Sequence, residues 1–279
     1  TRQQEGTFDA IFWDSSPYQW PVIGWPSDIA AITKAQADEY YALYYAPQNV
    51  AAFLVGDFDP KVALALGEKY LGVIPAGPRP APEMITAEIK PLGEKRFHAE
   101  AETNPAVTLR WHTAAYVHKD VPALGVLEGL LNGPTGRLQK NLVLGAGIAT
   151  NARASQDPLK YEGQFEINAE CKEGHTPEEL ERAIDAEIGK LQKELVGAEE
   201  LQSVKNRYLA SAYRQISSNQ QLVLRYAVSD GMGSWRDADR IDRETQTVTA
   251  AEVQRVAQKY FTKENRAVAI WTRKGGATT

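Results

Sequence analysis

The feature that most constrains this fold is an internal match that needs no gap. Residues 32–56 align with residues 248–272 at a constant offset of 216 positions. Each copy opens on a hydrophobic residue and a threonine, Ile32-Thr33 and Val248-Thr249, and continues as an amphipathic helix to an aromatic pair, Tyr44-Tyr45 and Tyr260-Phe261. An asparagine follows in both, Asn49 and Asn265, and then a β-prone run. Threonine is a natural N-cap because its hydroxyl accepts from the first-turn amides, and asparagine suits the turn into a strand. A duplicated cap, helix, turn and strand is therefore expected. If the second copy begins near Pro91, its partner would begin about 125 residues before Thr1, and about half of copy one is expected to lie outside the chain.

The two copies are divided by Pro75, Pro78, Pro80 and Pro82, a stiff segment poor in backbone donors. The expected organisation is a first segment over 1–74, a proline-rich linker over 75–90 and a complete second domain over 91–279. That domain reads as α+β. Strands are expected at 106–113 and 161–171, the latter alternating Tyr161, Gly163, Phe165, Ile167, Ala169 and Cys171 with Glu162, Gln164, Glu166, Asn168 and Glu170. Such alternation means one buried and one wet face, with Cys171 inward. Thr176-Pro177-Glu178-Glu179 has the form of a capping box, and Leu180, Ile184, Ile188, Leu191 and Leu195 follow as one apolar stripe. Helices over 198–216, 219–229 and 249–261 and a closing strand over 265–272 complete a mostly antiparallel sheet with helices packed on one face.

Composition excludes several functions. With 31 Lys and Arg against 36 Asp and Glu, the net charge of −5 offers no field for a phosphate backbone, so no nucleic-acid partner is expected. Apolar runs such as 50–56 are far below the roughly 20 residues a membrane helix needs, so no membrane span is expected. No cationic and apolar leader is expected at the start of the chain either. The single Cys171 rules out an intrachain disulfide and a thiolate-rich metal site.

Catalytic motifs are equally sparse. Of the four histidines, His98, His112, His118 and His175, none pairs at metal-binding helical spacing. His175 with Glu178 offers H-x-x-E, but glutamate stands where a second imidazole is needed, and the capping pattern places His175 ahead of its helix. There is no Gly-x-Ser-x-Gly elbow, Walker loop or dinucleotide fingerprint. No catalytic or metal-binding residue is expected in this chain, and its substrate-binding residues are unassigned.

The ordered motifs nonetheless resemble a family. Pro21-Val-Ile-Gly24, Tyr45-Ala-Pro47-Gln-Asn49 and Val55-Gly56-Asp57, with Asp120-Val-Pro-Ala-Leu124, Gly136-Arg137-Leu138 and Gly163-Gln-Phe-Glu-Ile167, are similar to the insulinase (pitrilysin) zinc metallopeptidases, mitochondrial-processing-peptidase-like proteins included. Residues 1–74 look like the end of the catalytic-type domain, and residues 91–272 like the inactive domain after it. The resemblance implies an H-x-x-E-H zinc motif upstream of Thr1, so zinc is implied for the parent protein and no cofactor for this chain. The helix corresponding to the zinc helix runs over about 121–132, where Leu127-Glu128-Gly129-Leu130-Leu131 carries no imidazole. Family partner domains often hold substrate with an Arg and a Tyr seven apart; the matching positions here are Val143 and Thr150.

The resemblance implies an inactive C-terminal portion of a zinc endopeptidase, forming part of a peptide-enclosing chamber. Its expected partners are the upstream catalytic half-domain or a homologous subunit, and peptide substrates. Glu162, Glu166 and Glu170 are candidates for the chamber wall. The alternative is a scaffold subunit of the same fold, and a periplasmic location follows from resemblance alone.

Overall fold

A computed structural model describes residues 2–84 and 86–275, so linker position 85 and the last four residues of the expected second domain lie outside the described residues. The first segment is helical: α1 (Arg2–Phe12), α2 (Pro26–Ala31), α3 (Lys34–Tyr44) and α4 (Pro60–Tyr70). The remainder runs β1 (Lys95–Ala101), β2 (Ala106–Thr113), α5 (Val121–Leu131), β3 (Ala149–Pro158), β4 (Gly163–Cys171), α6 (Pro177–Lys193), α7 (Ala198–Gln215), α8 (Asn219–Met232), α9 (Asp237–Thr247), α10 (Ala250–Tyr260) and β5 (Arg266–Arg273). The five strands form one sheet in the order β1-β5-β2-β4-β3, antiparallel throughout except for the β1/β5 pair. The α+β architecture is as the sequence implies.

Strand alternation sorts the two faces of the sheet. In β5, Val268 and Ile270 enter the main core with Leu109 and Trp111 of β2, Phe165 and Ile167 of β4, and apolar stripes of α5, α6, α7 and α10. Ala267 and Ala269 point the other way, and their small side chains leave room for Phe8, Phe12 and Trp13 at the end of α1. Arg110 of β2 fastens this contact. Its guanidinium lies 4.6 Å from the Phe8 ring centre, pairs with Asp9 of α1, and binds Glu166 of β4 at 2.7 Å. The main helical layer thus covers one face, and α1 is a strap across part of the other.

The duplication is visible atom by atom. Thr33 and Thr249 both close capping boxes, with Gln36 and Glu252, and both helices run 11 residues. The Asn49 side-chain amide donates to the Tyr44 carbonyl at 2.8 Å, and Asn265 donates to the Tyr260 carbonyl at 2.8 Å. The copies diverge at the strand. β5 gains a ladder on both sides, whereas residues 50–55 pair with no strand among the described residues. A β-prone run becomes a strand only when a neighbour accepts its alternate N–H and C=O groups.

Two smaller expectations fail locally. Leu195 lies beyond the end of α6 and is exposed, because the helix stops at Lys193. Tyr161 precedes β4, which starts at Gly163, and is exposed rather than inward.

Candidate functional site

The residues that correspond to a zinc helix lie on α5. Pro122 at its start suits the first turn, where no N–H partner is needed, and its Leu and Val side chains bury it against the sheet and α10. Asp120 ties the two helices together. Its fully buried carboxylate accepts from Arg255 at 2.7 Å and from Lys259 and the Tyr260 hydroxyl, each at 2.8 Å. Burial opposes its ionisation, but these three donors hold its carboxyl well below the usual carboxylate range.

Glu128 interrupts the apolar run, with Gly125 three residues before it and Gly129 one after. Those are the two imidazole places of H-x-x-E-H. Both glycines are close-packed: a Cβ at Gly129 would come within 2.6 Å of Val204, and one at Gly125 within 3.2 Å of Gln156 Oε1. The site does not fit zinc, and among the described residues no group of three or more His, Cys, Asp or Glu could hold a metal ion.

Instead, Glu128 lines a cleft of about 290 Å³ between α5, the end of β3, and helices α7, α8 and α9. Val121, Pro122, Ala238 and Ile241 supply apolar wall, while Tyr208, Arg225 and Asp242 supply polar groups. Burial, reinforced by Asp157, pushes the Glu128 carboxyl up to about 7. The Arg225 guanidinium binds Asp239 at 2.9 Å and Asp242 at 2.6 Å through the same Nη2 atom. Its buried Nε–H has no acceptor among the described residues. Burial and the nearby Asp242 carboxylate push the Tyr208 phenol up to about 12.

The candidate wall residues on and just before β4 are dispersed. Glu166 is neutralised by Arg110 and lies beside the α1 strap. Glu162 sits half-buried at a second cleft with Glu88, Ile89, Lys90, Pro91 and His112, and burial with the nearby Glu88 raises its carboxyl. Glu170 stays at the half-exposed edge of β4. His112 stacks on Phe12 at 3.9 Å, and burial lowers its imidazole to about 4, which makes it a packed neutral ring. His175 pairs with Glu179 at 2.8 Å, within the capping box. Val143 lies in a short π-helical segment, and exposed Thr150 falls at the register shift between Ala149 and Asn151. The structure brings neither into a clamp. Cys171 is buried, and burial pushes its thiol up to about 11.

The cleft was missed from sequence. Its one signal is the lone Glu128 in the apolar run Val121–Leu131, while its other polar groups come from three later helices.

Comparison with known proteins places this architecture. The model of the peptidase M16 inactive domain matches residues 31–208, and the chain belongs to that family, as an inactive domain of zinc-protease-like proteins. It is 27% identical over 252 residues to the zinc protease PqqE of Helicobacter pylori, covering 88% of this chain and 56% of PqqE. The chain therefore spans little more than half of that relative. The crystal structure of a protease from Helicobacter pylori superposes with a TM-score of 0.90 at 23% identity, covering 95% of this chain and 65% of that one. The periplasmic protease PqqL from Escherichia coli superposes with a TM-score of 0.78 at 17% identity, covering 98% of this chain and 32% of that one. Among the described residues no helix is long and apolar enough to cross a membrane.

Proposed function

We propose that this chain is the non-catalytic portion of a two-halved zinc endopeptidase, in which it forms part of the wall enclosing a peptide. One observation carries the reading: an apolar surface exposed in the first copy is core in the second. Tyr40, Tyr45 and Leu54 are 57%, 62% and 63% exposed, whereas their counterparts Val256, Phe261 and Ile270 are 0%, 5% and 2% exposed. In the second copy this surface is covered by α5, α6 and β2. Equivalent elements of a catalytic-type domain would cover it in the first, which supports residues 1–74 as the end of one domain, 75–90 as linker and 91–279 as the next.

Zinc in this reading belongs to that other domain, where it would supply an activated water for hydrolysis. The residues of this chain hold position, exclude water and present the sheet edge; none is assigned a proton transfer. Glu162 and Glu170 are the remaining acidic candidates for the peptide-facing wall. The name of the similar PqqL supports a periplasmic setting.

The test is peptide cleavage by the full-length protein containing this chain, with and without a chelator, beside the 279-residue chain alone. Chelator-sensitive cleavage by the first and none by the second is expected. Cleavage by the chain alone, or none by the full-length protein, would overturn the reading, the latter in favour of a scaffold subunit.

A further inference from the structure

We propose that the cleft between α5, α7, α8 and α9 binds a primary alkylammonium group, with its ammonium on the Glu128 carboxylate and its methylenes against Val121, Pro122 and Ile241. The charge balance of the cleft points to a cation. Arg225 is already met by two carboxylates, Asp239 and Asp242, on a single Nη2 atom, so the guanidinium has no charge to spare for Glu128. Glu128 itself has no ion pair among the described residues, although it lines a pocket beside Asp242. The cleft lining thus sets one guanidinium, Arg225, against two carboxylates, Glu128 and Asp242, while Asp157 and Arg153 act on Glu128 in opposite senses. A buried acid without a cation is costly, and a ligand that brings the cation removes the cost. The raised Glu128 carboxyl agrees with this, since burial and Asp157 favour the proton more than Arg153 and the Gln156 backbone amide oppose it.

Shape narrows the class. A cleft of about 290 Å³ lies at the small end of ligand-sized pockets, and its aliphatic wall suits a short methylene chain. Gly125 lines the floor, close-packed so that a Cβ there would press to 3.2 Å from the Gln156 side-chain oxygen. The unpartnered Arg225 Nε–H is a donor on the same wall, available to a water or a ligand oxygen. The ammonium has two sources, a peptide lysine side chain or a free amine, and the chemistry at Glu128 is shared.

Calorimetric titration of the 279-residue chain in an amine-free buffer tests this, using n-butylammonium, N-acetyl-lysine amide and, as control, butyrate. Saturable one-to-one binding of n-butylammonium is expected, with none of butyrate. Binding at pH 7 should release protons, because the ammonium displaces the proton from Glu128. Glu128→Gln, nearly isosteric, should weaken binding at least tenfold, whereas Glu199→Gln on the exposed face of α7 should not change it. N-acetyl-lysine amide binding as tightly as n-butylammonium would assign the site to peptide lysines, and binding of the free amine alone would assign it to small amines. Butyrate bound as well as n-butylammonium, equal n-butylammonium affinity in Glu128→Gln, or no saturation up to about 50 mM, weaker than the millimolar range, would overturn the proposal.

Discussion

Replacing Glu128 by Gln should stabilise the chain at alkaline pH and leave it unchanged in acid. A carboxyl that titrates near 4.5 when unfolded and about 7 when folded is protonated in both states below pH 4.5 and then contributes no pH dependence. As pH rises between those values the unfolded chain loses its proton first, so stability falls; above 7 the folded state carries the whole cost of a buried carboxylate. A difference of about 2.5 pH units is worth up to about 3 kcal/mol. For a domain of this size that is roughly 6–12 °C in melting temperature. Thermal unfolding of both forms across about pH 4.5 to 8.5, in amine-free buffer, should show the two curves meeting in acid and the variant rising above the parent as pH increases. A constant gap across the range, or a variant less stable at pH 8.5, would refute the reasoning, because either requires a Glu128 carboxylate that is well satisfied.

Four further outcomes follow from the packing. Arg110→Ala should cost about 3–5 kcal/mol, since it strands Asp9 and Glu166 and frees the α1 strap; chymotrypsin should then cut at Phe8 or Phe12 well before global unfolding. Asp120→Ala should cost about 1–3 kcal/mol at neutral pH, since the buried Tyr260 hydroxyl loses its acceptor while the half-exposed Arg255 and Lys259 regain water. Because its folded carboxyl is held low, that contribution is present above the unfolded aspartate value of 3.8 and fades only as pH falls below it. Asn265→Ala should destabilise the chain by about 1–3 kcal/mol, as its amide satisfies both the Tyr260 and His112 carbonyls. Asn49→Ala, which loses one exposed bond, should cost no more than about 0.5 kcal/mol in the same assay.

Much of the fold after residue 91 was legible because its signals are local. The Thr176 capping box and the alternation from Gly163 to Cys171 each specify an element without knowledge of its neighbours. Helix α9 was not legible: only Ala238, Ile241 and Thr245 are buried, and no side chain caps its start. β1 carries Lys95, Arg96, His98 and Glu100 and becomes a strand by parallel pairing with β5, a contact between residues about 170 positions apart. The strap role of α1 depends on Ala267 and Ala269 being small, and it becomes apparent only when β5 is placed beneath it. The absence of a zinc motif on α5 was readable at once, whereas the Glu128 cleft needs Tyr208, Arg225 and Asp242 brought together from separate helices. In the first segment Ile32, Tyr40 and Tyr45 are exposed within this chain, whereas Val248, Val256 and Phe261 at the matching positions of the second copy are buried.

Burial of that surface in the full-length protein can be measured by amide exchange. Hydrogen exchange of α3 and residues 50–55 should be compared in the 279-residue chain and in the full-length protein that contains it. The account predicts fast exchange in residues 50–55 and weak protection of α3 in the chain alone, with both rising toward the protection of α10 and β5 in the full-length protein. Equal exchange of these segments in the two forms would contradict it.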